Sequence, residues 1–373
     1  MGLCLCKCIK CGDRKVPERL YALSTSMDSS AKIYSWDRRP SENVEQCSCN
    51  GLVNSIKIFV PESMAGQQFT IENCQSCKIF VLDRTASIII DDCQDCQIVL
   101  GPCSGSVFIR NSLDCRLWVL CQQFRIRDCR KLQVSLYCQS SPSLESSRSI
   151  EFTCLQISYY QLDAQLGAAG LKTLNNYWAH AHDFSADESL TANFLCSCEV
   201  RAPTLSNDDD DAKPLKQLKL SFDPLDSLIP LTMPWNHHQF SLSQVSSTLH
   251  SFLTVLFLNL KVSFLLLLLT KDPTVNLANS ISMSKALAAS HITMIRTGEL
   301  FVSGRLVKLL FADKAMHSDM LTKMPLAVFV TPNAESESVM KAVDSLNIAS
   351  QWCLTNGERC PQIFEEFNRT YSL

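Results

Sequence analysis

The segment CQSCKIFVLDRTASIIIDDCQDC, residues 74–96, contains two CxxC pairs separated by fifteen residues. This spacing is typical of a zinc site with four thiolate ligands. Whether these cysteines bind zinc or fill a protein core decides how the N-terminal half of the chain folds.

The CxxC pattern recurs further along the chain in copies that have lost cysteines. The copies are IENCQSCKI (71–79), IDDCQDCQI (90–98), IRNSLDCRL (109–117) and IRDCRKLQV (126–134), whose starts are spaced 19, 19 and 17 residues apart. Ser112 replaces the first cysteine of the third copy, and Leu132 replaces the second cysteine of the fourth. A zinc ligand cannot become leucine without loss of the metal, whereas a small core position tolerates Cys, Ser or Leu. The pattern favours cysteines that pack in a core, with zinc in the first two copies as the alternative.

The repeat is accompanied by short β-branched segments. Phe124 and Ile126 alternate with Arg125 and Arg127, which predicts a strand with one buried and one exposed face. A period near nineteen residues indicates coils that bury themselves against one another. The sequence therefore predicts a mainly β fold, a parallel β-helix, with the Asn or Asp before each cysteine position at a corner.

Composition restricts the class of protein. The chain has 373 residues, 46% hydrophobic and 19% charged, enough for two or three folded domains. Its net charge of −3 gives a nucleic-acid partner no electrostatic support. The 20 cysteines would indicate disulfides in a small secreted protein, but MGLCLCKCIKCGDRK lacks the apolar core of a signal peptide. We therefore expect a cytosolic protein with reduced thiols.

Residues 1–33 are predicted to be a flexible leader that anchors the chain to a membrane. Gly2 is placed for N-myristoylation, with Cys6 where the usual pattern has Ser or Thr, and Cys4 and Cys6 are candidates for S-palmitoylation. One myristoyl chain binds a bilayer only marginally, so a second acyl chain or a basic patch is needed, and the leader offers both. The alternative is a metal-binding or disordered cysteine-rich tail.

Seven sequence blocks between residues 34 and 190 occur in an order shared by one protein family. They are YSWDRR (34–39), AGQQFTIENC (65–74), LGPCSGSVFIRN (100–111), CQQFRIRDCRKLQV (121–134), LESS (144–147), AGLKTLNNYW (169–178) and HDF (182–184). The region resembles the tubulin-cofactor-C domain family, and within it the lipid-anchored GTPase-activating proteins of Arf-like small GTPases. The resemblance implies a right-handed parallel β-helix, a GTP-bound Arf-like partner that brings its own GTP and Mg²⁺, and a place at the cytoplasmic membrane face near the cilium, in lipidated-protein traffic.

The resemblance also implies roles for five residues. Arg125 matches the arginine that the family inserts in trans into the GTPase, where a guanidinium accelerates hydrolysis by about 10³–10⁵-fold. Gln122 and Glu145 match positions that hold this arginine, and Arg127 and Phe184 match positions at the GTPase interface. From the residues alone, an exposed arginine is normally just solvated, and Arg127 is able to form an ordinary surface ion pair.

The C-terminal half reads as a linker, residues 191–250, followed by a second domain, residues 251–373. Strand-like segments at 294–304 and 326–332 alternate with helical candidates at 274–289, 305–322 and 336–346, which predicts an α/β domain. By resemblance this domain is ferredoxin-like and related to nucleoside diphosphate kinases. Their Asn-x-x-His-Gly-Ser-Asp block is absent, so we expect no kinase activity and a role in interaction or stability.

The apolar segment FLTVLFLNLKVSFLLLLL, residues 252–269, has three interpretations. It is a buried strand, a membrane span, or a retained intron in which residues 259–269 translate a splice donor and a pyrimidine tract. Lys261 argues against the span, because a lysine at mid-bilayer costs about 3 kcal/mol. Sequencing spliced transcript across codons 255–275 identifies a retained intron.

Four hypotheses of function follow. The leading one is a membrane-tethered GTPase-activating protein with no independent catalytic activity and no cofactor beyond its acyl groups. The second is a tethered scaffold that binds the GTPase without activating it and depends on Phe184 but not on Arg125. The others are a tubulin cofactor C acting on the tubulin dimer, and a zinc or redox protein built on the cysteines.

Overall fold

The computed structural model describes residues 47–64, 66–186, 192–204, 213–234, 262–268, 273–301, 325–332, 336–344, 346 and 352–356. The predicted acylated leader, with Gly2, Cys4 and Cys6, lies outside these residues, as does much of the predicted linker. Within the described ranges, no helix has the length and apolarity needed to span a bilayer.

Coils of parallel strands stack into a solenoid, which confirms the predicted β-helix. The strands are β1 (Ser48–Asn50), β2 (Ile56–Phe59), β3 (Phe69–Glu72), β4 (Lys78–Val81), β5 (Ile88–Asp91), β6 (Gln97–Arg110), β7 (Arg116–Arg127), β8 (Arg130–Cys138), β9 (Ser143–Glu145), β10 (Arg148–Cys154), β11 (His182–Asp183) and β12 (Phe194–Ser197). One column of paired strands runs β1-β3-β5-β6-β7-β9-β11. A second column runs β2-β4-β6-β7-β8-β10-β12, so the long strands β6 and β7 belong to both.

The cysteines of the repeat lie inside the solenoid. Cys74, Cys77, Cys93 and Cys96 are each 1% exposed, and Leu132 is fully buried among them. Each of these four thiols donates to the carbonyl two residues earlier, over 3.2–3.4 Å. No group of three or more His, Cys, Asp or Glu side chains in the described part of the chain is arranged to hold a metal ion. The two CxxC pairs therefore close corners and fill the core.

The coils turn at residues with left-handed backbone angles, as predicted for the Asn and Asp positions. Before the first cysteine position of each repeat, Asn73, Asp92, Asn111 and Asp128 have φ between 49° and 53°. Asn and Asp tolerate this region better than other side chains, because their short polar groups bond locally. A turn of this kind on every coil keeps successive strands in register.

Helices cover one outward side of the second strand column. Helix α1 (Leu162–Ala169) and helix α2 (Lys213–Gln217) pack there over a second apolar cluster. The largest members of this cluster, Trp118 and Tyr137, are almost fully buried. Strand β12 and helix α2 lie in the range predicted as linker, and β12 pairs with β10. The outward side of the first column, by contrast, presents exposed side chains at its β6–β9 end.

A separate antiparallel sheet follows the solenoid. Its elements are β13 (Val262–Leu268), α3 (Pro273–Ala289), β14 (Arg296–Phe301), β15 (Pro325–Pro332), α4 (Ser336–Asp344) and β16 (Trp352–Asn356). The strand order is β14-β15-β13-β16, so β13 lies between β15 and β16. Residues 262–268 thus form a strand, as the first of the three interpretations predicted. The ferredoxin-like assignment and the retained intron stay predictions.

Candidate functional site

Arg125 lies on the exposed side of β7. Its neighbours Phe124 and Ile126 are 1% and 2% exposed, whereas the Arg125 side chain is exposed. Because successive side chains of a strand point to opposite faces, the burial of both neighbours directs Arg125 outward. Arg125 has no salt-bridge partner among the described residues.

Strand register places Arg125 in an outward row that crosses four coils. Arg125 lies opposite Phe108 of β6 and Ser143 of β9, and Ser143 lies opposite His182 of β11. Neighbouring strands are about 4.8 Å apart, so these side chains are next to one another on the surface. Phe108 is half-buried and His182 is exposed. The row therefore joins one cation to two aromatic rings.

A second outward row, two residues further along the strands, carries paired charges. In this row the Arg110 Nη2 lies 2.6 Å from Asp91 Oδ2, and this hydrogen bond raises the pKa of the Arg110 guanidinium. The Arg127 Nε lies 3.2 Å from Asp128 Oδ2 and 3.9 Å from Glu145 Oε2. Each of these three side chains is about half exposed, and such surface pairs contribute about 0–1 kcal/mol. Arg127 can therefore change partners at little cost.

The two residues predicted to hold Arg125 lie at different places around it. The Glu145 carboxylate is next to Arg127, and Gln122 is exposed three residues before Arg125 on the same strand. The Gln122 carbonyl accepts hydrogen bonds from Ser140 Oγ over 2.9 Å and from Cys138 Sγ over 3.6 Å. Among the described residues, neither Gln122 nor Glu145 has a side-chain hydrogen bond to Arg125.

Phe184 is a large exposed aromatic residue beside these rows. Its side chain is 72% exposed, although its N–H is fixed by the Leu144 carbonyl at 2.9 Å. Its ring lies 4.5 Å from the His182 ring, nearly perpendicular to it. The sequence blocks included His182 without assigning it a role. Sequence reasoning missed His182 because its place beside the site depends on the pairing of β11 with β9, two strands that are far apart along the chain.

The inward side of β7 beneath the site carries Cys121, Phe124 and Ile126 and no Asp, Glu, Lys or Arg side chain. Cys121, one residue before Gln122, is fully buried, and burial raises the pKa of its thiol. The surface charges are thus carried on a strand whose inward face contributes no charge of its own. Arg125, Arg127, Glu145 and Phe184 are brought to one face of the solenoid, and Gln122 lies near its edge.

Comparisons with known proteins bear on the same part of the chain. Residues 66–184 match the family described as Tubulin binding cofactor C. Protein XRP2 of Mus musculus is 52% identical over 158 residues, 42% of this chain and 46% of that protein. Protein XRP2 of Xenopus laevis is 46% identical over 202 residues, 54% of this chain and 57% of that protein. Protein XRP2 of Homo sapiens is 52% identical over 154 residues, 41% of this chain and 44% of that protein.

A solved structure, Tubulin Binding Cofactor C from Leishmania major, is 17% identical, with a TM-score of 0.26, and covers 42% of this chain and 88% of that chain. This chain spans about half the length of the curated relatives that it matches. The five predicted site residues all lie within the matched residues 66–184. Residues 66–184 thus match the tubulin-binding-cofactor-C family, and about half of the chain is similar to Protein XRP2.

Proposed function

We propose that this protein is a membrane-anchored GTPase-activating protein that supplies Arg125 in trans to an Arf-like small GTPase. The observation that carries the proposal is the direction of Arg125, an exposed guanidinium held between two buried residues. It has no ion-pair partner among the described residues, so it is free to enter another protein's site.

The chemistry of GTP hydrolysis requires such a group. Cleavage of the γ-phosphate spreads negative charge over its oxygens, and a guanidinium positioned there stabilises that charge. The planar fork of arginine fits phosphate oxygens in a way that lysine does not. A rigid strand presents this fork with little loss of entropy on docking. The GTP and Mg²⁺ belong to the GTPase, so the solenoid contributes the cation alone.

The surrounding side chains suit a docking face. Phe184 and His182 form an exposed aromatic pair that offers an anchor for the GTPase. Arg127 exchanges its weak contacts with Asp128 and Glu145 for acidic groups of the partner. Gln122 and Glu145 hold the arginine once the partner is in place.

The leader determines where the protein acts. A myristoyl group on Gly2 and palmitoyl groups on Cys4 and Cys6 hold the chain at the cytoplasmic face of the plasma membrane. At the base of the cilium, activation of an Arf-like GTPase there releases lipidated proteins from their carriers.

The test is GTP hydrolysis by a panel of Arf-like GTPases with and without this protein. Arg125→Ala and Arg125→Lys are expected to lose the stimulation, about 10³–10⁵-fold, because the planar charge is gone. Binding to the GTP-bound form should stay within a few-fold of wild type. Arg116→Ala removes another exposed arginine of β7, at its opposite end, and serves as the matched control with full stimulation. An Arg125→Ala variant that stimulates like wild type rejects the proposal.

The exposure of Phe184 favours a second candidate, a tethered scaffold that binds the GTPase without activating it. Phe184→Ala would then abolish binding, and Arg125→Ala would change neither binding nor hydrolysis. Tubulin belongs in the same panel, and stimulated hydrolysis by tubulin alone would instead assign a tubulin cofactor activity.

A further inference from the structure

Two consecutive asparagines contact two different sheets of the protein. They belong to residues 172–178, which we name the asparagine loop. Asn175 Oδ1 accepts the N–H of Glu299, in strand β14 of the C-terminal sheet, over 2.8 Å. Asn176 Oδ1 accepts the N–H of Cys138 over 3.0 Å and that of Trp178 over 3.2 Å, both in the solenoid region. The side chains of two consecutive residues therefore link the C-terminal sheet to the solenoid.

On the C-terminal side the asparagine loop is held by several groups. Thr297 Oγ1 donates to the Leu174 carbonyl over 2.8 Å, and Thr297 is 5% exposed. Leu174 is 4% exposed and belongs to the apolar cluster of the C-terminal domain. Lys172 Nζ lies 2.9 Å from Glu299 Oε1 at the surface. The loop is thus a packed contact of the second domain.

On the solenoid side the asparagine loop holds the end of β8. The Cys138 N–H is bound by Asn176, and the Cys138 carbonyl accepts the Tyr177 N–H over 2.8 Å. Both backbone hydrogen-bonding groups of Cys138 are therefore fixed by consecutive residues of the loop.

The end of β8 in turn holds β7 just before Arg125. Cys138 lies opposite Cys121 in strand register, and the Gln139 N–H donates to the Cys121 carbonyl over 3.1 Å. Ser140 Oγ donates to the Gln122 carbonyl over 2.9 Å. A short series of hydrogen bonds thus runs from β14 to the strand segment that carries the arginine.

We infer that Asn176 is a positioning residue for Arg125, and that the C-terminal domain contributes to GTPase activation by fixing the asparagine loop through Asn175. The inference rests on the proposed function. Asn176 supplies one oxygen to two backbone N–H groups, and its loss lets the end of β8 shift against β7. A displacement of about 1 Å of a catalytic group lowers a rate by up to about 10²-fold while leaving the docking face in place.

The test separates kcat from KM in stimulated hydrolysis. Asn176→Ala is expected to lower kcat about tenfold with KM unchanged within about twofold, because binding does not use the loop. Asn176→Asp keeps the accepting oxygen and is expected to restore most of kcat. Asn175→Ala is expected to lower kcat by about threefold, since it loosens the loop only from the C-terminal side.

Ser135→Ala is the control for general destabilisation. It breaks the buried Ser135–Thr153 hydrogen bond of 2.9 Å, between β8 and β10, which does not involve a residue of the asparagine loop. It should lower the melting temperature while leaving kcat within about twofold of wild type. Wild-type kcat in Asn176→Ala, or an equal loss of kcat in Ser135→Ala, overturns the inference.

A second readout does not depend on GTPase activation. Hydrogen exchange of residues 121–127 should become faster in Asn176→Ala and Asn175→Ala than in wild type or Ser135→Ala. If the wild-type protein stimulates no GTPase, the proposed function fails and this measurement alone decides whether the loop positions the strand. Unchanged exchange in both asparagine variants overturns that positioning.

Discussion

Ser112 stands where three other repeats carry a cysteine, and its hydroxyl makes two hydrogen bonds. It donates to the Arg110 carbonyl over 2.8 Å and accepts the N–H of Cys93 over 3.2 Å. Cys129, at the same position of the next repeat, donates its thiol to the Arg127 carbonyl over 3.1 Å. The position needs a small side chain with a donor, which explains why Cys and Ser exchange there.

We expect Ser112→Ala to lower the free energy of unfolding by about 1–3 kcal/mol, because the buried N–H of Cys93 loses its partner. Ser112→Cys retains a small donor and should lose less. Urea unfolding of the three proteins, compared at constant slope, measures the difference. An alanine variant as stable as wild type would mean that packing alone determines this position.

At the residue scale, the sequence predicted which face of a strand a side chain lies on better than it predicted which side chains touch. The alternation of Phe124 and Ile126 with Arg125 predicts the outward guanidinium that the structure contains. The position of His182 against Phe184 depends on pairing between β9 and β11, which are distant in sequence. No pattern in the sequence around His182 predicts that β11 pairs with β9.

The corner of each coil is an element whose backbone selects its residues. Asp95 lies at the corner just before Cys96, the second cysteine of its repeat. It has φ 50° and accepts a hydrogen bond from Ser76 Oγ of the preceding coil over 3.0 Å. Left-handed angles are costly for most side chains and free of strain for glycine. The corner therefore depends on the backbone conformation more than on burial, since Asp95 is exposed.

Asp95→Val is expected to destabilise the protein by about 1–2 kcal/mol, because a β-branched side chain is strained at a left-handed corner. Asp95→Gly removes the same carboxylate without that strain and is the matched control, with a smaller loss. Thermal unfolding of both variants distinguishes them. Equal losses would assign the effect to the hydrogen bond with Ser76 instead.

The elements were predictable where a period or an alternation repeats. The nineteen-residue spacing predicted the stacked coils, and the helical candidates at 274–289 and 336–346 correspond to α3 and α4. The candidate at 305–322 lies outside the described residues. The range 191–250 looks like a linker by composition, yet Phe194–Ser197 pairs with β10. The composition of a segment indicates how well water solvates it. It does not indicate whether a short strand such as β12 pairs with another strand.

At the scale of the whole molecule, the solenoid encloses a long series of thiols. The buried ones are Cys49, Cys74, Cys77, Cys93, Cys96, Cys103, Cys115, Cys121, Cys129, Cys138 and Cys154. Burial raises the pKa of Cys49 to about 12 and that of Cys129 to about 11. The unfolded chain ionises its thiols near pH 8.5, so it releases protons there that the folded chain retains.

The contribution of the thiols with raised pKa values, such as Cys49 and Cys129, is therefore expected to be fully present below about pH 8 and to be lost as the pH rises above it, since the unfolded state ionises first. Each thiol whose pKa is raised by burial, such as Cys49 or Cys129, contributes a loss of about 1.4 kcal/mol per pH unit between its unfolded and folded pKa. Urea unfolding at pH 7.5 and 9.5 measures the sum, and Cys129→Ser should reduce the difference. A protein equally stable at both values would contradict the raised thiol pKa values.

The last coils of the solenoid also have a consequence for shortened chains. Strand β9, which borders Arg125, is paired on its far side by β11. A premature stop codon before residue 182 would leave that edge open, and open edges recruit strands from other molecules. Such a product would lose Phe184 and would expose the outer edge of β9 to pairing with strands of other molecules.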